Sequence, residues 1–171
     1  GPYKSMLSRD SLKQHQVGVY GSVVVNTQKG FNVELGARFN KHSAYGSNIV
    51  FNINPSFLLH EKWKFFANIS SAYKTPTLYQ LYSEFGNKNL KPESALTIEG
   101  GVQYFSKNNK YNGRAVIYNR SAKDAIAFFF DPVTYVSFYI NQDKQNDHGF
   151  ELESNFNIGK TTSLKFNYAY V

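Results

Sequence analysis

Apolar and polar residues alternate along most of this chain, and the alternation restarts after each cluster of turn residues. A period of two places one class of side chain on each face of a strand, so the pattern predicts strands and not helices. The first segment, about 14–27, turns at Gln28-Lys29-Gly30. The second, 31–40, alternates most clearly. Phe31, Val33, Leu35, Ala37 and Phe39 point one way, and Asn32, Glu34, Gly36, Arg38 and Asn40 the other. The third, about 48–59, sets Ile49, Phe51, Ile53 and Phe57 opposite Asn48, Asn52 and Asn54. Pro55 shares its apolar face, and the missing backbone donor predicts a bulge there. The fourth, 63–74, and the fifth, 95–105, repeat the pattern. The sixth, about 112–130, is long and less regular. The seventh, 135–158, and the eighth, 164–171, again alternate, with Phe150, Leu152 and Phe156 opposite Glu151, Glu153 and Asn155.

The charged residues tell the faces apart. A Lys or Arg facing lipid at mid-bilayer costs roughly 2–4 kcal/mol, and an acidic residue less. Arg38, Glu34, Glu99, Glu151 and Glu153 are therefore expected to face the lumen of a membrane barrel, with the apolar residues of the same strands facing lipid. The rival is a soluble sandwich with its apolar faces packed together. Aromatic residues make up 17% of the chain, yet its mean hydropathy is low. That combination fits strands with one greasy and one polar face, and favours the barrel with its aromatic girdles. Connections at 28–30, 60–62, 107–111 and 159–163 are short. They alternate with those at 41–47, 75–94 and 131–134. Outer-membrane barrels keep short turns inside and long loops outside, so residue 74 is expected at an outer end.

Other chemistry adds little. There is no cysteine, hence no disulfide or thiolate site. No apolar run approaches the ~18 residues of a membrane-spanning helix, and the amino terminus does not read as a signal peptide. The net charge of +7 suggests affinity for anionic surfaces, but the basic residues form no block, so nucleic acid is not an expected partner. His15, His42, His60 and His148 lack metal-ligand spacing, and Asp143, Asn146 and Asp147 lack the glycine pattern of a calcium loop. No G-x-S-x-G is present, and an enzyme is not expected.

The stretch between the fourth and fifth strands carries the most specific signal. It contains A-Y-K-T-P-T-L-Y-Q-L-Y (72–82), N-K-N-L-K-P-E (87–93) and T-I-E-G-G (97–101). Before it stands G-A-R-F-N-K-H-S-A-Y-G (36–46), and after it Y-I-N-Q-D-K-Q-N-D-H-G-F-E-L-E (139–153). In this order and spacing, the motifs resemble the TonB-dependent outer-membrane receptors over about residues 17–171.

The resemblance implies an all-β fold: an antiparallel transmembrane segment of about eight strands, cut from a barrel of about 22. It implies a bacterial outer-membrane location, with lipid, the remaining strands and a plug domain as partners, and TonB acting through that plug. The chain would be a partial barrel domain over 1–171, without plug or final strands. It would import a scarce nutrient; cobalamin receptors look most similar, and ferric siderophores or other metal chelates share the framework. No cofactor is implied. Glu99 and Glu151 match glutamates that hold plug arginines in the family; the alternative is hydrated lumen residues bonded to their neighbours. Arg38 and Arg114 would line the lumen. Tyr79, Tyr82, Phe85, Asn87 and Asn89 are candidates to grip a corrinoid or siderophore. Their alternative is structural, with Pro76 and Pro92 shaping the loop and Leu78, Leu81 and Leu90 packing it down. A complete eight-stranded barrel with a structural or adhesive role is the competing reading of the chain.

Overall fold

The structure is a computed structural model, and it describes residues 13–107, 110–159 and 161–171. Eight strands follow one another: β1 (Gln16–Asn26), β2 (Phe31–His42), β3 (Gly46–Leu59), β4 (Trp63–Lys74), β5 (Glu93–Phe105), β6 (Tyr111–Asp131), β7 (Val136–Ile158) and β8 (Thr162–Tyr170). They form one antiparallel sheet in the order β1-β2-β3-β4-β5-β6-β7-β8. Each strand pairs with its sequence neighbours only. Among the described residues β1 and β8 are therefore edges that do not pair with each other, and the sheet is not the closed eight-stranded barrel of the competing reading. One expected loop also holds a helix, α1 (Leu78–Tyr82).

The expected bulge at Pro55 does not form. Pairing of β3 with β4 runs through Asn52↔Ser70 and Ile53↔Ile69 and resumes at Ser56↔Phe66 in the same register. The proline costs ladder positions on the β4 side and is paired with Val33 on the β2 side. A missing donor weakens a ladder without having to shift it.

The two faces of the sheet are inverted relative to a water-soluble protein. Val19, Val23, Ile49, Ile98, Ile117, Phe150 and Phe166 are exposed, while the polar side chains between them are mostly half-buried on the other, concave face. Leaving a large apolar side chain in water forfeits about 1.5–3 kcal/mol. A handful of these would cancel the roughly 5–15 kcal/mol of net stability a domain possesses. The face is tolerable only against an apolar medium, as barrel strands meet in a bilayer.

An aromatic row borders this face beside the short turns. Trp63 and Tyr104 lie 4.7 Å apart by ring centroid, Tyr104 and Tyr111 5.8 Å, and Tyr111 and Phe156 4.8 Å. Rings with a polar tip favour the interface between lipid and water. Towards the other end of the strands the outward residues turn polar: Asn119 faces His148, Ser121 faces Asn146, and Lys123 faces Lys144. These two borders enclose the apolar band. The β6–β7 hairpin continues beyond the second one to Asp131, twelve residues past Asn119, or about 40 Å at strand rise.

The turns are tight for local reasons. Gly30 has φ +83, which only glycine adopts without cost, and a side chain there would meet the Leu58 carbonyl at 2.5 Å. His60 and Glu61 both have positive φ, the backbone of a two-residue hairpin turn, closed by Lys62 N–H donating to the Leu59 carbonyl at 3.1 Å.

Candidate functional site: the polar face and its outer cap

Antiparallel register carries residues of one face across the sheet in rows. One row runs Glu34, Asn54, Asn68, Glu99, Tyr118 on β2 to β6. Asn54 Nδ2 donates to Glu34 Oε2 at 3.3 Å, and Asn68 Nδ2 donates to Asn54 Oδ1 at 2.5 Å. The amides thus form a ladder that starts at one carboxylate and stops short of the other. Glu99 makes no hydrogen bond or ion pair among the described residues. It shares with Glu34 and Lys64 a polar hollow of about 380 Å³.

Glu151 lies one row closer to the short turns, opposite Val116 on β6 and Ala169 on β8. It too has no polar partner among the described residues. Two strand spacings separate it laterally from Glu99, about 10 Å. A single arginine fork does not span that distance, so the two carboxylates offer two separate anchoring points for cations. Glu153, one row further, is occupied: its Oε1 accepts from Arg114 Nη1 at 3.1 Å, and the guanidinium lies 5.2 Å from the centre of the Phe66 ring. Arg38 is exposed on the polar face. A side chain at Gly18 would come within 2.8 Å of its Nε, so that glycine leaves the room the arginine occupies.

The outer end of this face is covered by the connection from β4 to β5. Its helix α1 is opened by a capping box: Gln80 N–H donates to Thr77 Oγ1 at 3.2 Å, and Thr77 N–H donates to Gln80 Oε1 at 2.9 Å. Pro76, Leu81 and Leu90 are buried beneath it. Asn87 is a hub. Its Oδ1 accepts from Asn89 N–H at 2.9 Å, and its Nδ2 donates to the Tyr139 carbonyl at 3.0 Å. Tyr139 N–H donates to the Phe85 carbonyl at 3.1 Å, while the Phe85 ring stands edge-on to Phe128 at 5.5 Å. Asn141 completes the clamp as a surrogate backbone. It accepts from Lys91 N–H at 2.8 Å and donates to the carbonyls of Lys91 at 2.9 Å and Asp124 at 2.7 Å. Glu93 Oε1 accepts from Lys74 Nζ at 3.1 Å and from Ile126 N–H at 2.9 Å.

A second, shorter loop meets the same cap. His42 is buried, and its Nδ1 accepts from Ala44 N–H at 3.1 Å and Tyr45 N–H at 3.3 Å, so its proton resides on Nε2. Tyr45 hydroxyl donates to the Leu90 carbonyl at 3.4 Å. Burial, with Tyr82 and Tyr73 close by, pushes the Tyr45 phenol above its usual range.

The five loop candidates thus separate. Phe85 and Asn87 hold the cap to β7. Tyr82 is half-buried with Lys88 Nζ 5.6 Å above its ring. Tyr79 and Asn89 are exposed, and Tyr79 stands edge-on to Tyr139 at 6.3 Å. Asn141 and Glu93 were not singled out in the sequence. Their partners lie on other strands, which spacing along the chain does not display. Among the described residues no three His, Asp or Glu side chains converge as a metal site.

This arrangement recurs in solved structures. The chain overlays the siderophore receptor PirA from Pseudomonas aeruginosa with a TM-score of 0.81 at 22% identity, covering 92% of this chain and 31% of that one. It overlays a mutant of the ferric enterobactin receptor PfeA from the same organism with a TM-score of 0.78 at 20% identity, covering 92% and 26%. The FrpB iron transporter from Neisseria meningitidis gives 0.67 at 21% identity, covering 94% and 28%. At these identities the likeness concerns the fold, and the chain spans less than a third of the length of each. These three are a siderophore receptor, a ferric enterobactin receptor and an iron transporter, so the expected leaning to cobalamin gains no support from them. Residues 1–171 match the family described as TonB dependent receptor-like, beta-barrel. An open antiparallel sheet with an outward apolar band, an inward polar face and a match along its whole length makes this chain a member of that TonB-dependent receptor β-barrel family.

Proposed function

We propose that the chain is part of the barrel wall of an outer-membrane receptor that imports a metal chelate, with ferric siderophores favoured over cobalamin. The carrying observation is the polar face: two carboxylates, Glu99 and Glu151, without partners there, under a cap fastened at its outer end. Carboxylates with free acceptor sites in a confined lumen take paired hydrogen bonds from arginine. They would hold a plug domain supplied by the rest of the receptor, and release it when TonB pulls. The exposed Tyr79 and Asn89, on a fixed cap, would offer an aromatic face and an amide to the arriving ligand, while Arg38 would attract an anionic chelate.

The test is uptake by cells that express the full-length receptor as their sole route for the nutrient. Radiolabelled ferric siderophores are expected to enter in a TonB-dependent manner, and radiolabelled cobalamin is not. The double variant Glu99→Gln, Glu151→Gln is expected to reach the membrane, bind ligand and lose most uptake. Cobalamin entry without siderophore entry would reverse the ligand assignment. Normal uptake by the double variant would remove the plug-anchoring role.

A further inference from the structure

The lipid-facing side of the sheet is not uniformly filled. Beside the short turns an outward row reads Trp63, Tyr104, Gly113, Ser154, Phe166 across β4 to β8. Two small residues stand in its middle. The result is a groove of about 530 Å³ with Gly113 and Ser154 on its floor and Tyr104, Tyr111, Leu152 and Phe166 on its walls. That size falls within the range of small-molecule sites. A side chain at Gly113 would come within 2.7 Å of the Tyr111 hydroxyl, so the tyrosine leans over the glycine and shapes the groove.

Two features identify the occupant. The groove is mostly apolar, and its charged lining residues, Arg114 and Glu153, are paired with each other; Ser154 adds a hydroxyl that has no polar partner among the described residues. In a hydrocarbon setting such a group needs a hydrogen-bond partner from the ligand. The turns at the mouth of the groove carry exposed Lys62, Lys107 and Lys110, opposed by Glu61. They lie about three residues from the floor, or ~10 Å. An apolar trough, a hydroxyl at its polar end and cations beyond it match, in order, an acyl chain, a glycerol ester and a phosphate.

We propose that this groove is a binding site for one anionic phospholipid of the inner leaflet. The inference rests on the reading that the apolar face spans the outer membrane. Serine donates its hydroxyl hydrogen to an ester carbonyl, the aromatic walls hold the chain, and the lysines of the two turns select a net negative headgroup.

Native mass spectrometry of the full-length receptor in mild detergent, titrated with phosphatidylglycerol or chain-matched phosphatidylcholine, tests this. The unaltered receptor is expected to retain one phosphatidylglycerol more than Ser154→Leu does. Gly100→Leu, which places the same side chain on the same face where nothing lies within 4 Å, is expected to leave the count unchanged. Because Ser154→Leu could disturb folding, the triple exchange of Lys62, Lys107 and Lys110 to Gln, all exposed, supplies a second arm. It is expected to abolish the preference for phosphatidylglycerol over phosphatidylcholine. Equal lipid counts in Ser154→Leu and Gly100→Leu, or an undiminished headgroup preference in the lysine variant, would overturn the site. A receptor absent from outer-membrane fractions would instead overturn the membrane reading beneath it.

Discussion

The band of the sheet and its outer cap are held together in opposite ways. In the band, β1 to β5 repeat one rule: apolar outward, polar inward, partners in a constant register even where the β3–β4 ladder is interrupted at Asn54 and Pro55. No single side chain there is irreplaceable, because its stabilisation is spread over ladder bonds and lipid contact. In the cap the chain leaves the rule, and its order depends on a few side chains acting on backbone groups. Asn87 and Asn141 supply amide bonds that neither a strand nor the short helix could provide. The buried Pro76, Leu81 and Leu90 sit there, whereas the only apolar side chains that the sheet buries comparably, among the described residues, are Val116 and Ala122 of β6. A membrane sheet thus takes its core from the bilayer, whereas a loop standing in water has to build its own.

That contrast predicts different responses to substitution. The largest effect is expected in the band from reversing the character of one outward position. Ile117→Arg puts a cation in the middle of the apolar band opposite Gly100 and Phe150, and should cost about 2–4 kcal/mol of folding stability in a bilayer. Reversible unfolding of the full receptor in lipid vesicles reads this; a loss below about 0.5 kcal/mol would show that the face does not meet lipid.

The cap should answer locally. Asn141→Ala removes three hydrogen bonds to Lys91 and Asp124, and about 1–3 kcal/mol is expected to be lost. Hydrogen exchange should then speed up at Leu90 and Lys91 while β2 and β3 stay protected. Equal loosening of the band would erase the distinction between the regions.

The smallest effect concerns the tip of the β6–β7 hairpin. Asp131 accepts from Thr134 Oγ1 at 2.7 Å and from Val133 N–H at 2.9 Å. The Thr134 bond first, then the Val133 bond, hold its carboxyl below the ordinary range. A depressed value means that the ionised form supports the turn. The contribution is complete above the ordinary carboxylate range and fades as pH falls through the lowered value. Amide exchange at Val133 should rise at acidic pH in the unaltered receptor and be pH-independent, apart from intrinsic chemistry, in Asp131→Asn. An identical acid response in both would place the sensitivity elsewhere.

Much of this was legible in the chain. The strand segments, the shared polar face of Glu34, Glu99, Glu151 and Glu153, and the order of short and long connections follow from period-two alternation and its interruptions, which are local properties. The T-x-x-Q of Thr77 and Gln80 is also local, a capping box open to sequence reading, yet the stretch was expected as loop because a five-residue helix shows no apolar periodicity. Pro55 misled for a related reason. Sequence reveals that a donor is missing, but only the neighbouring strands reveal whether the ladder can skip it.

The sequence by itself determined which faces are greasy, where the strands lie and which carboxylates share the polar face, since each depends on residues next to one another. The tertiary structure alone decided that β1 and β8 do not pair, that Arg114 is committed to Glu153 while Glu99 and Glu151 have no polar partner among the described residues, and that Asn141 clasps Lys91 fifty positions away. Those outcomes depend on register between strands. Alternation along one strand fixes the face of a side chain, and only pairing with the next strand fixes its neighbour.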